Sequence, residues 1–337
     1  MYLLKKEAIM TYNEVLSAAQ SLSESERQSL VQALSMAKHC EATVPESSHL
    51  SALLEKQGWC PHCGGNRYYR FGKDHGTQRF KCKDCGRTFT EYTGTWQQKL
   101  HKKGLVKAYM HLMSEQKSLD RISAALHINK KTAFDWRHKI LRSLKQDEGG
   151  SFSGITESDE TFFEKSDKGS RHLGRKPRKR GGGGKGKGAS KDKVTVIVTA
   201  DRKNDLNMTF CGYGRLTKAE ITESLHTPLP QGTVLCSDGH VSYKGYAMDN
   251  HIEHVVIRAD LGWHVKRGFY HIQHVNSLHS RLKKWLNGTF WGVATKYMQD
   301  YLNWFKVQET VLKFCNDQAG ELLGISMKHY NVKFATV

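Results

Sequence analysis

No run of roughly 18 apolar residues occurs in the 337-residue chain, so no segment is expected to cross a bilayer as a helix. Met1 to Lys6 carry neither the apolar core nor the cleavage site of a secretory signal. Together these absences predict a cytoplasmic protein with no membrane partner. Acidic residues are also scarce: 33 Asp and Glu stand against 52 Lys and Arg, a formal net charge of +19. That imbalance says nothing about fold, but it favours a polyanionic partner, most commonly nucleic acid.

Among eight cysteines, Cys40, Cys211, Cys236 and Cys315 are scattered, whereas Cys60-x-x-Cys63 and Cys82-x-x-Cys85 form two pairs 18 residues apart. Two thiolates at that spacing sit on one tight knuckle, and two knuckles complete a tetrahedron, which predicts a zinc ribbon. Four sulfur ligands leave no open position, so the expected Zn2+ is structural. Tyr68–Phe71 and Arg79–Lys81 read as strands joined near Gly76. His62 and His75 are not needed as ligands.

Two further regions are expected, one before and one after the ribbon. Residues 1–56 read as a helical N-terminal region and linker, with capping boxes at Thr11-x-x-Glu14 and Ser23-x-x-Glu26. Residues 57–95 hold the ribbon. Residues 96–148 are helical, and the stretch from Ser118 to Leu141 reads as helix, turn and longer helix. A helix-turn-helix is therefore expected, with Ile122, Ala125 and Ile128 in its core and Lys130, Lys131, Thr132 and Arg137 reaching DNA. A plain three-helix bundle is the alternative.

Gly149–Gly154 marks a change to strand patterns. Ile155–Phe163, Val194–Ala200 and Met208–Tyr213 read as strands, Thr217–His226 as a helix, Val234–Asp238 as a buried strand and His254–Ile257 as a short one. A helix with an apolar stripe at Val275, Leu278, Leu282, Trp285 and Leu286 follows. This order predicts a multidomain α/β chain whose residues 149–310 form an RNase H-like mixed sheet with flanking helices. Residues 165–193 interrupt it with twelve Lys and Arg against two Asp. They read as a basic loop along a DNA backbone, with Arg175, Lys176, Arg178, Lys179 and Arg180 at its centre. Residues 311–337 read as a C-terminal tail.

In this arrangement Asp159 lies in the first strand and Asp238 ends the fourth, its expected neighbour. Carboxylates on adjacent strands can bind Mg2+ or Mn2+ through oxygen. Asn276, His279 and Lys283 share one face of the late helix, and Asn276 is placed to add the third ligand. Glu157 shares the strand face of Asp159; Glu160 is expected to point away. Each residue also has an ordinary structural explanation: Asp238 as a turn residue before Gly239, Asn276 as a helix N-cap, Lys283 as a solvated cation.

Several stretches together resemble bacterial insertion-sequence transposases of the IS-fifteen-ninety-five family, with the ISXO-type catalytic domain. They are the ribbon Cys60–Cys85, D-E-T-F-F at 159–163, G-R-K-P-R-K-R-G-G at 174–182, S-D-G-H-V-S-Y at 237–243, N-S-L-H-S-R-L-K-K-W-L at 276–286 and G-V-A-T-K-Y at 292–297. The resemblance implies a DNA transposase, located with the bacterial nucleoid, that cuts element ends and joins 3′-hydroxyls to target DNA. It implies Asp159 and Asp238 as the first two triad acids and Lys283 as the basic residue that contacts DNA near the cut. Asn276 stands where most relatives carry glutamate, though the family includes an asparagine-bearing subgroup. Double-stranded DNA is the implied partner, with a homo-oligomer assembled on it because two element ends must meet. The alternatives are a metal-dependent nuclease and a DNA-binding remnant without chemistry.

Overall fold

The computed structural model describes residues 60–145, 152–173, 193–225 and 229–328, with isolated positions at 21, 23, 27, 176 and 190. The N-terminal helical expectation and Arg175, Arg178, Lys179 and Arg180 lie outside the described residues. None of the described helices is long and apolar enough to cross a membrane.

The first unit is a three-stranded antiparallel sheet: β1 (Tyr68–Asp74), β2 (Thr77–Cys82) and β3 (Thr88–Thr90), in that order. Its small core consists of Cys60, Cys82, Phe80 and Phe89 with Tyr68 packed on them. The two expected strands are present, and β3 completes the sheet.

Three helices follow: α1 (Val106–Ser114), α2 (Leu119–Ala125) and α3 (Lys130–Ser143). Ser118 caps α2 by accepting from the Arg121 amide, and Asn129 caps α3 by accepting from the Lys131 amide. Ile122 and Ile128 are buried as expected, but Ala125 is exposed. Tyr109 and Trp136 pack ring against ring at 5.3 Å.

The five-stranded sheet contains β4 (Ile155–Glu164), β5 (Lys193–Asp201), β6 (Leu206–Tyr213), β7 (Val234–Ser237) and β8 (Glu253–Val256). Their spatial order is β6-β5-β4-β7-β8. The first three pair antiparallel, whereas β4–β7 and β7–β8 are parallel. This is a mixed sheet with flanking helices, and it puts the strands of Asp159 and Asp238 side by side. On one face lie α4 (Lys218–Leu225) and α5 (Val241–Asp249), around Ile197, Leu235 and Tyr243. The opposite face, with Val194, Val196 and Val198 of β5, carries α6 (Gln273–Lys284) and α7 (Met298–Thr310), and α8 (Gln318–Lys328) joins the same core.

Helix α5 is absent from the sequence-based reading because it shows no clear apolar stripe. His240 caps it, its ring nitrogen accepting from the Ser242 amide. Two boundaries also differ. The core of α1–α3 is continuous with that of α6–α8 and β5, so burial does not divide at residue 148. Residues 311–337 are not simply a tail: α8 buries Leu322 and Ile325 and packs on α1 and α3. The Trp96 indole donates to Ser326 Oγ at 3.1 Å, tying the two ends together.

Candidate metal and nucleic-acid site

The cysteines and the acids each converge, on separate parts of the chain. In the small sheet, the Cys60–Cys85 and Cys63–Cys82 sulfurs are each 3.7 Å apart. A tetrahedral centre with Zn–S bonds of about 2.3 Å has sulfur–sulfur edges of about 3.8 Å, so the four thiols fit a zinc ion. The two knuckles are built alike. The Gly64 amide returns to the Cys60 carbonyl and the Gly86 amide to the Cys82 carbonyl, with φ of 74° and 69° at the glycines. Backbone N–H donors from Cys85 and Asp84 help pull the Cys82 thiol down to about 7. His62 instead reaches the Thr88 carbonyl.

At the edge where β7 ends, one carboxylate oxygen from each of Asp159, Glu160 and Asp238 lies within 4.8 Å of the others. The β4–β7 register pairs Glu157 with Cys236, and two more residues along each strand bring Asp159 beside Asp238. Asp238 turns the chain by accepting from the His240 amide at 2.9 Å. Gly239 has φ +91°, and a Cβ there would sit 2.5 Å from Val256 Cγ1. The turn therefore requires glycine on both conformational and steric grounds.

Strand alternation assigns Glu160 to its face correctly. It pairs with Ile197 and so belongs to the α4/α5 face, opposite Asp159. Yet β7 stops at Ser237, and no β7 residue pairs with β4 beyond Glu157. That gap lets the Glu160 carboxylate join the cluster over the strand edge. Burial, with neighbouring acids, raises the Asp159 carboxyl to about 8 and that of Glu160 to about 7. Such a cluster favours either protons or cations.

Helix α6 brings His279 and Lys283 to the same place. His279 is buried, with Nδ1 3.9 Å from Asp159 Oδ2. Burial, reinforced by Lys283, lowers His279 to about 4, so its ring is neutral near pH 7. Burial lowers the Lys283 pKa, while the charge of Asp159 opposes that shift. Lys283 also lines a cleft of about 590 Å3 together with Lys165, Lys168, Phe163 and Leu286. Asn276 lies one turn before His279 and is exposed. Ile272, not Asn276, is the N-cap residue of α6, and it offers no side-chain bond.

Glu157 takes over that capping task from the neighbouring strand, a role the sequence did not signal. The side chain is 1% exposed, and Oε2 accepts from the amides of His274 at 3.0 Å and Val275 at 3.3 Å. Oε1 lies 2.9 Å from Arg202 and 3.3 Å from His271 Nδ1. Glu157 thus fixes the start of α6 to the strand that carries Asp159.

Of the helical DNA-contact candidates, Lys130 and Lys131 are exposed and Thr132 is half-buried at the start of α3. Lys130 pairs with Asp120 at 2.6 Å and Lys131 with Asp135 at 3.0 Å. Arg137 corrects the sequence-based expectation. It is 1% exposed, donates to the Lys117 carbonyl at 2.6 Å and lies 5.7 Å from the ring centroids of Phe290 and Trp304. It belongs to the core and does not reach DNA. Lys176 is exposed.

Residues 151–310 match the ISXO2-like transposase domain family. A Halobacterium salinarum protein described as an uncharacterized protein in transposable element ISH50 is 27% identical over 264 residues, covering 76% of this chain and 86% of its own. Among solved structures, the Mos1 pre-cleavage transpososome and the Mos1 strand transfer complex are each 11% identical and align with 67% of this chain. They cover 80% and 79% of their own chains, at TM-scores of 0.22 and 0.21.

Proposed function

We propose, from the match of residues 151–310 to the ISXO2-like transposase domain family, that the chain is a transposase that cuts insertion-sequence ends and joins the freed 3′-hydroxyls to target DNA. The observation that carries this reading is the meeting of Asp159 and Asp238 beneath a helix bearing His279 and Lys283, inside the matched domain.

Asp159 and Asp238 are the residues placed to hold Mg2+ or Mn2+, with Asn276 able to offer an uncharged carbonyl oxygen. When bound, such ions polarise the scissile phosphate, activate the attacking oxygen and neutralise the leaving 3′-oxygen. The chain's own groups bind and orient the DNA. Lys283 opposes phosphate charge at the mouth of the cleft, where Lys165 and Lys168 extend the positive surface. Neutral His279 packs against Asp159 and limits its rotation. Cys60, Cys63, Cys82 and Cys85 hold a structural zinc ion, and the surrounding strands form a zinc ribbon.

Helices α2 and α3 are read as a helix-turn-helix, with Lys130, Lys131 and Thr132 presented at the start of the second helix. The basic segment 165–193, including Arg175, Lys176, Arg178, Lys179 and Arg180, is assigned to flanking or target DNA. The catalytic sheet order, with its first three strands antiparallel and the next two parallel, supports an RNase H-like classification. The working assembly is an oligomer on two DNA ends.

The test incubates full-length protein with labelled terminal-repeat oligonucleotides and Mg2+ or Mn2+. Joined products that disappear in Asp159→Ala and Asp238→Ala support the proposal. Cleavage without joining identifies a nuclease, and binding with neither reaction under both metals identifies a DNA-binding remnant.

A further inference from the structure

The site has a third carboxylate, although the position matching the usual third acid is Asn276. We infer that Glu160 supplies the third anionic metal ligand, completing an Asp159–Glu160–Asp238 set in which Asn276 is dispensable for cation binding. This inference rests on the proposed transposase metal site.

Three observations converge on Glu160. Its carboxylate is within 4.8 Å of oxygens from both Asp159 and Asp238, a span that ligands around one hard cation occupy. Its Oε2 is a buried atom with no hydrogen-bond partner. A buried carboxylate oxygen without a partner is costly, and a cation would satisfy it. Beside the cluster, His279 is 7% exposed, and its Nε2 also has no partner. An unsatisfied buried oxygen within a cluster of three acids describes a place that a cation would satisfy.

Charge supports the same assignment. Two divalent cations bring four positive charges, and two aspartates return only two. An asparagine at position 276 adds none, whereas Glu160 raises the count to three. The strand edge explains how an acid on the opposite face can serve: β7 ends before Glu160, so no neighbouring strand stands between its carboxylate and Asp238. Asn276 is exposed at the first turns of α6, where it can remain available to DNA.

Mn2+ binding to the zinc-loaded full-length chain, followed by electron paramagnetic resonance, tests the assignment without requiring turnover. Glu160→Gln is expected to weaken binding by about tenfold or more, and Asn276→Ala to change it by less than about threefold. Glu160→Asp, which keeps the charge but shortens the reach, should fall between wild type and Glu160→Gln. The melting temperature supplies a second readout. Without Mn2+, Glu160→Gln should melt at or above wild type, because a neutral amide replaces a crowded buried charge. With Mn2+ it should lose most of the metal-induced rise.

Asp159→Asn and Asp238→Asn separate the two levels of the reading. If both abolish Mn2+ binding while Glu160→Gln and Glu160→Asp bind as wild type, the assignment of Glu160 is overturned and the metal site stands. Unchanged binding in both aspartate variants overturns the metal site itself. A loss in Asn276→Ala matching that in the aspartate variants restores position 276 as the third ligand and refutes Glu160 as its replacement.

Discussion

Replacing Glu157 with alanine removes the carboxylate that joins β4 to the start of α6. Two amide bonds, to His274 and Val275, are lost together with the 2.9 Å pair to Arg202. Hydrogen bonds to charged groups each contribute about 1.5–3 kcal/mol. Breaking one side of a buried pair costs about 3–5 kcal/mol, because its partners are left unsatisfied. These contributions overlap, and the carboxylate already bears a desolvation cost that raises its pKa. The expected net loss is therefore about 3–4 kcal/mol. At about 2–4 °C per kcal/mol for a domain of this size, melting should fall by about 6–16 °C.

Glu157→Gln retains an acceptor oxygen for the amides and should lose about half as much. Hydrogen exchange gives the local readout: in Glu157→Ala the amides of His274 and Val275 should lose protection before the core of α6 does. A melting shift under about 1 °C, with those amides still protected, would refute the clasp and the magnitude assigned to it.

The acidic cluster makes stability depend on pH in a defined direction. Burial and the neighbouring acids hold Asp159 at about 8, against an ordinary 3.8, and Glu160 at about 7, against 4.5. Raised folded-state values favour protonation on folding, so their stabilising contribution is present at low pH and is lost as pH rises through 7 to 8. Metal-free protein should melt lower at pH 9 than at pH 6, and Asp159→Asn should flatten the decline. Saturating Mg2+ should do so too, whereas equal slopes in all three samples would contradict the assignment. Chelating zinc should collapse the Cys60–Cys85 unit, visible as lost dispersion of the Tyr68, Phe80 and Phe89 resonances, with the five-stranded sheet retained. Arg137→Ala should destabilise the core by about 3 kcal/mol and leave the salt slope of DNA binding unchanged. Lys131→Ala should reduce that slope by about one without altering melting appreciably; a reversed pattern would return Arg137 to the DNA surface.

Local patterns carried much of the architecture. The C-x-x-C pairs need only tight turns to bring two sulfurs together, so their meeting was legible from spacing. Runs of β-branched and apolar residues marked β5 and β6, and the stripe from Val275 to Leu286 marked α6. Capping chemistry was equally local: before α4 the Thr217 amide donates to the Glu220 carboxylate and the Glu220 amide to Thr217 Oγ1. Helix α5 escaped notice because its buried face includes Ser242 while Val241 and Met248 are exposed, which blurs the apolar stripe.

The sequence by itself determined the cysteine tetrad, the mixed order of strands and helices, and the candidacy of Asp159, Asp238, Asn276 and Lys283. Each depends on composition, short spacing or chain order. Only the tertiary structure decided which polar groups meet. Arg137 looks like a groove-reading cation along α3, but Phe290, Trp304 and the Lys117 carbonyl enclose it. Glu157 looks like a spare acid, but the amides of α6 arrive at its carboxylate from more than a hundred residues away. Glu160 points to the opposite face by strand alternation, but its reach depends on where β7 stops. A side chain's direction is local information, whereas the space it can enter is set by neighbours distant in sequence.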